Sequence, residues 1–187
     1  MRDKDVRNAV LKHLSEIHAD DPYTRIVQEM GVWAESVRID IAVINGELCG
    51  YELKSDSDNL NRLPNQADLY SRVFDHVTLV VGKRHLDKAI DLIPSWWGVI
   101  QASDTCGDVL LSTIRIGSRN PDPDAYLVAE LLRKTEAIEI LDRYGLVKGY
   151  RGKRVNEVHQ KLADELPFRV LADEVRLTLK NRIDWLR

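Results

Sequence analysis

Cysteine is nearly absent from this chain: Cys49 and Cys106 are the two in 187 residues, far apart and without a CxxC partner. That argues against a disulfide-stapled scaffold and a thiolate zinc site, and both are expected as buried thiols in strands. Also missing is any uninterrupted apolar run near the roughly 18 residues that a membrane span requires. The opening Met1-Arg2-Asp3-Lys4-Asp5 is polar where a secretion signal has its apolar centre, so the expected location is cytoplasmic, with no membrane partner. None of the five histidines stands at metal-ligand spacing from another, so His18, His76 and His85 are assigned to solvation or packing. There is no sign of internal repeats.

What is present fits a soluble globular protein: 44% apolar and 30% charged residues, enough to bury a core in one domain with a small appendage. The net charge of -3 is unevenly spread. Residues 130–187 carry 13 Lys and Arg against 10 Asp and Glu, leaving 14 against 20 for the preceding part. An acidic front suits a metal site or a solvated surface, and a basic back suits contact with a polyanion.

Along the chain, Val6, Val10, Leu14 and Ile17 predict an amphipathic helix over 3–18, ended by Asp20-Asp21-Pro22. A strand over 24–30 and a hairpin over 38–54 follow. After a polar loop at 55–61, Pro64 opens a helix to about residue 74 that places Gln66 and Tyr70 four apart on one face. Strands at 76–82, 98–102 and 108–116, with a helix at 85–93, complete an α/β pattern of helices packed on a sheet. Gly117-Ser118-Arg119-Asn120-Pro121-Asp122-Pro123-Asp124 reads as a linker between a core over 1–116 and a helical region over 125–187. That region is expected to hold helices at 125–144, 156–166 and 168–182, the last with Leu171, Val175 and Leu179 as its apolar seam.

The hairpin is the most informative stretch. Side chains alternate between faces of a strand, so register decides which groups meet. A two-residue turn at Asn45-Gly46 would put Asp40 and Glu52 on opposite faces. A three-residue loop from Ile44 to Gly46 pairs Val43 with Glu47, Asp40 with Gly50 and Arg38 with Glu52. Ile39, Ile41, Val43, Cys49, Tyr51 and Leu53 then form one apolar face, while Arg38, Asp40, Glu52 and Lys54 share the other. An odd-length loop or bulge between residues 43 and 50 is therefore predicted.

Asp40, Glu52-Leu53-Lys54 and Gln66-x-x-x-Tyr70 together resemble the PD-(D/E)XK nuclease superfamily over about residues 24–82, with Ile39 where the motif has proline. The whole chain also resembles a small bacterial and phage-borne branch of that superfamily, whose members mostly lack an assigned function. The resemblance implies a restriction-endonuclease-like mixed β-sheet flanked by helices. It also implies Asp40 and Glu52 as ligands of Mg²⁺ or Mn²⁺, Lys54 as the catalytic lysine, and Gln66 with Tyr70 as substrate-positioning groups. Leu53 would add its main-chain carbonyl to the metal. Magnesium is a hard cation that prefers carboxylate, carbonyl and water oxygens, and bound metal lowers the pKa of its water and stabilises charge on a phosphoryl group. Glu29 is a candidate third acid ahead of Glu16, and Arg38 a candidate substrate contact. The competing reading is an ordinary solvated hairpin face with a Glu52–Arg38 ion pair. Asp58 and Arg62 are expected as a surface ion pair.

In the C-terminal region Lys148, Arg151, Lys153 and Arg154 interleave with Tyr144, Tyr150 and glycines, a pattern for phosphate contact and base stacking. A helical cap or a homodimer contact is the alternative for this region. The expectation is a Mg²⁺-dependent nuclease acting on DNA. Its alternatives are a catalytically inactive nucleic-acid-binding or regulatory protein that keeps the fold, and a protein-interaction module of immunity or antitoxin type.

Overall fold

The computed structural model describes residues 1–32, 37–105 and 107–185. Its centre is a six-stranded sheet in sequence order: β1 (Arg25–Val32), β2 (Val37–Ile44), β3 (Leu48–Lys54), β4 (His76–Gly82), β5 (Gly98–Thr105) and β6 (Asp108–Arg115). Strands β3, β4 and β5 run parallel, and the other neighbours pair antiparallel. The parallel strands are covered on both faces, which is why β4 reads as an almost continuous apolar run, Val77 to Val81 broken only by Thr78.

Helix α1 (Asp3–Ile17) lays Val6, Val10 and Leu14 on one face, against Ile41, Val43, Leu53, Val80 and Ala102. On the opposite face lie α2 (Leu63–Tyr70), α3 (Leu86–Ile90), α4 (Ala125–Ala129), α5 (Lys134–Arg143), α6 (Val155–Glu165) and α7 (Phe168–Asn181). There Tyr70 stacks on Trp97 at 6.3 Å and meets Phe74 edge-on at 5.8 Å. The C-terminal helices share this core with the sheet: Ile140, Leu162, Leu171 and Leu179 belong to the same buried cluster as Ile39, Leu79 and Trp97. Segment 117–124 is tied to the α2–β4 turn, since the Asn120 side chain donates to the Ser71 and Phe74 carbonyls at 2.7 and 2.8 Å. Among the described residues no helix is long and apolar enough to cross a membrane.

The mixed α/β fold with a helical C-terminus is as the sequence predicts, with several corrections. The β2–β3 loop has three residues, but they are Asn45 to Glu47, with Gly46 at φ 109°. Ile44 therefore faces Leu48 and Ala42 faces Gly50, two residues away from the predicted register. A shift of two preserves the faces, so Ile41, Val43, Cys49, Tyr51 and Leu53 pack together under α1. Ile39 does not join them. It lies in the opposite core, because β1 and β2 turn over where Glu29 takes φ 54° opposite Asp40. The helix expected over 125–144 is two, with tight turns at Leu131 and Leu132 between them. The helix expected over 85–93 is a 3₁₀ turn at Lys83–His85 followed by the single short α3. Cys49 sits in β3, where burial, with the charges of Glu47 and Asp75, pushes its thiol up to about 12. Cys106 falls outside the described residues.

Candidate functional site

Beyond Ile41 opposite Tyr51, the hydrogen-bonded register of β2 and β3 stops, and the Asp40 side chain takes over. Its Oδ2 accepts from the Leu53 main-chain N–H at 2.8 Å. Its Oδ1 accepts from Arg7 Nη2 at 2.6 Å, and the Asp40 carbonyl accepts from Arg7 Nη1 at 3.1 Å. Arg7 reaches the site because α1 is fixed by Val6 and Val10, at 0 and 2% exposure, on either side of it in sequence. The same guanidinium meets Glu29 Oε1 at 2.9 Å and Asp3 Oδ2 at 3.4 Å. Burial works against its charge, but Asp40 foremost, then Asp3 and Glu29, leave the Arg7 pKa above its ordinary value.

Alternation along β3 puts Glu52 and Lys54 on one face, where Lys54 Nζ donates to Glu52 Oε1 at 2.5 Å. They do not form a water-facing patch: Glu52 is 1% and Lys54 6% exposed. Burial pushes the Glu52 carboxyl up to about 7, aided by the Asp40 charge and opposed by Lys54. Glu52 Oε2 has no hydrogen-bond partner among the described residues, and neither has the buried Gln66 Oε1. From α2, Gln66 Nε2 approaches the Tyr70 hydroxyl at 3.5 Å, and that hydroxyl donates to the Arg38 carbonyl at 2.7 Å. Burial first, and then Glu52, hold the Tyr70 phenol far above its usual range.

These elements enclose a cleft of about 520 Å³. Glu29, Arg38, Asp40, Glu52, Leu53, Lys54 and Gln66 all line it, together with Asp3, Asp58, Arg62 and Asn65. Tyr70 is close by, completely buried behind it. Glu16 is elsewhere, beside a hollow between α1 and β6. The Glu52–Arg38 ion pair does not form, since Lys54 takes Glu52 from within its own strand. Nor does Asp58 pair with Arg62: its Oδ2 accepts from both the Ser55 N–H and hydroxyl at 2.7 Å. Lys148, Arg151, Lys153 and Arg154 are exposed and none lines the cleft. Arg151 is paired with Asp142 at 3.1 Å and Lys153 with Glu157 at 2.9 Å. Arg7 and Asp3 are the site residues that the sequence reading missed. The available signal was their four-residue spacing on a helix, with Arg7 flanking the apolar stripe.

Compared with known proteins, residues 1–184 match the family described as bacteriophage P4 protein cII. The chain belongs to that family. Protein cII of Enterobacteria phage P4 is 27% identical over 186 residues, covering 97% of this chain and 68% of that protein. No solved structure matches. The expected phage association holds, and the expected magnesium-dependent nuclease does not. The family that spans the cII-like chain is that of protein cII, and neither match links it to phosphodiester hydrolysis.

The donor set of this cII-family protein can be tested against the Mg²⁺ or Mn²⁺ that the nuclease resemblance implies. Both Asp40 oxygens are engaged, by Arg7 and by Leu53 N–H, and Glu52 Oε1 is engaged by Lys54. Only Glu52 Oε2 of the two acids is open. Among the described residues no group of three or more His, Cys, Asp or Glu side chains is placed to hold an ion. As folded, three of the four oxygens of these two acids, on which a divalent cation would draw, are thus already held by groups of the chain itself.

Proposed function

We propose that this protein is a non-catalytic, nucleic-acid-binding regulatory protein of the phage P4 cII family, with the cleft between β2, β3 and α2 as its contact surface. In this reading the hairpin and helix whose residues resemble the PD-(D/E)XK motif serve binding without turnover. The observation that carries the reading is a pair of cations on the cleft. Arg38 and Arg62 are exposed, line it, and have no ion pair among the described residues. A guanidinium left free is able to grip phosphate through two parallel hydrogen bonds. Lys83 and Arg84 are further exposed cations in the turn after β4, where the Arg84 N–H donates to Asp56 Oδ1 at 3.2 Å. Lys148 and Arg154 are the other exposed cations of the predicted set without an ion pair among the described residues.

The test is fluorescence anisotropy with labelled single-stranded and double-stranded DNA and RNA across a salt series. Binding is expected to weaken linearly in log–log form with salt, as released counterions require. Arg38→Ala with Arg62→Ala is expected to lower the affinity and shallow the slope by about two. No binding at low salt would remove the reading and favour a protein partner for the cleft.

A further inference from the structure

We propose that Arg7 is the protein's own cation for Asp40, Glu29 and Asp3, standing where a divalent metal would otherwise balance these carboxylates. The inference is independent of nucleic-acid binding.

The geometry is that of acids neutralised from within the chain. One guanidinium makes four contacts: Nη2 to Asp40 Oδ1 at 2.6 Å, Nη1 to the Asp40 carbonyl at 3.1 Å, Nη1 to Glu29 Oε1 at 2.9 Å, and Nε to Asp3 Oδ2 at 3.4 Å. Its side chain is 17% exposed and that of Asp40 19%, so the central pair is partly withdrawn from solvent and weakly screened. A planar fork suits this task, because its donors point in fixed directions toward separate acceptors. A metal at Asp40 would need the oxygen that Arg7 already holds and would be repelled by the guanidinium beside it.

The helix that carries the cation is itself held in place. Val6, Val10 and Leu14 are nearly fully buried against β2, β3 and β4, which sets the Arg7 Cα beside the site. Glu29 meets the same guanidinium from a left-handed backbone, at φ 54°. Two strands and a helix thus converge on one positive group. Lys54 plays the matching part for Glu52, so each acid of the hairpin has a basic partner from within the chain.

The experiment titrates Mn²⁺ and Mg²⁺ into the full chain by calorimetry, and follows thermal unfolding in each salt against NaCl of equal ionic strength. Wild type and Arg7→Lys are expected to bind neither ion at the site and to unfold at the same temperature in all three salts. Arg7→Met keeps the stem and loses the charge. It is expected to bind Mn²⁺ at least about tenfold more tightly than the weakest affinity the titration resolves, and to regain with Mn²⁺ the unfolding temperature it loses in NaCl. Stoichiometric Mn²⁺ binding by wild type, abolished in Asp40→Asn, would overturn the proposal. So would an Arg7→Met protein as indifferent to Mn²⁺ as wild type. Should Arg7→Met not fold, the wild-type titration with its Asp40→Asn control still decides. Since the readout is metal affinity, its outcome is separate from that of the nucleic-acid titration.

Discussion

Asp75 and Arg176, 101 residues apart in sequence, meet in a buried two-point ion pair, with Nη2 to Oδ1 at 2.7 Å and Nε to Oδ2 at 3.0 Å. Asp75 Oδ2 also accepts from the Leu48 N–H at 2.7 Å, so one carboxylate fastens α7 to the start of β3 and the approach to β4. The side chains are 8 and 10% exposed.

Removing Arg176 leaves the Asp75 carboxylate desolvated with only the exposed Arg119, at 3.5 Å, as a cation, which costs more than the pair contributes. Arg176→Ala is therefore expected to lose about 3–5 kcal/mol in urea unfolding. Arg176→Ala with Asp75→Asn should recover part of it by withdrawing the stranded charge. Equal losses in the single and double variants would show that Asp75 is well solvated without Arg176, contrary to its burial.

Glu52 makes stability depend on pH in the direction opposite to most carboxylates. Its folded pKa is raised to about 7 from an unpaired value of 4.5. Between those values the folded chain holds a proton that the unfolded chain has released, so stability falls as pH rises from about 4.5 to about 7 and levels off above. Glu52→Gln removes the proton exchange. Its unfolding free energy should gain relative to wild type across that window, on the order of 1–3 kcal/mol by its upper end, less whatever the lost Lys54 contact costs. Parallel stability–pH curves for the two proteins would refute the raised pKa.

The features legible in sequence are those with a local period. The α1 stripe, the apolar β4 and the α7 seam each repeat within a few residues, and each buries the face expected except at Ile17, which is exposed at the end of α1. The odd-length β2–β3 loop followed from face matching, but the same matching cannot separate registers that differ by two, and the loop sits one residue later than predicted. Gly46 advertises its left-handed backbone, whereas Glu29 does not, so the turnover that sends Ile39 to the other core had no signature. Glu52 and Lys54 read as solvated because nothing in the hairpin states that α2 covers them. Arg7 and Arg176 were invisible for a related reason. A cation beside an apolar stripe looks like a helix surface until its partner arrives from a distant strand.

Glu29 sets backbone strain against an ion pair. A non-glycine residue in the left-handed region costs about 1–2 kcal/mol. The pair with Arg7 involves a Glu29 side chain 47% exposed, and a pair that open contributes about 0–1 kcal/mol. Strain is the larger effect, so Glu29→Gly should be neutral or up to ~1 kcal/mol more stable despite losing the carboxylate. Glu29→Val forces a branched side chain into the same conformation and should lose about 1–3 kcal/mol. The comparison is made by urea unfolding; a large loss in Glu29→Gly would mean that the carboxylate, and not the backbone, governs this position.

Gly82 closes β4 where the chain passes under the site loop. Its φ of -63° suits any residue, so its need for glycine is one of space. A Cβ there would stand 2.4 Å from Asp56 Oδ1 and 2.9 Å from the Asp56 main-chain nitrogen. Asp56 Oδ1 in turn accepts from the Arg84 N–H, which starts the turn after β4. Gly82→Ala is expected to cost about 1–3 kcal/mol, with faster exchange of the Arg84 amide as the sign that Asp56 has moved. Adding Asp56→Ala removes the side-chain clash but leaves the main-chain one, so the double variant should regain only part of the loss. Full recovery would place the whole conflict in the Asp56 carboxylate and leave the backbone of the site loop free to shift.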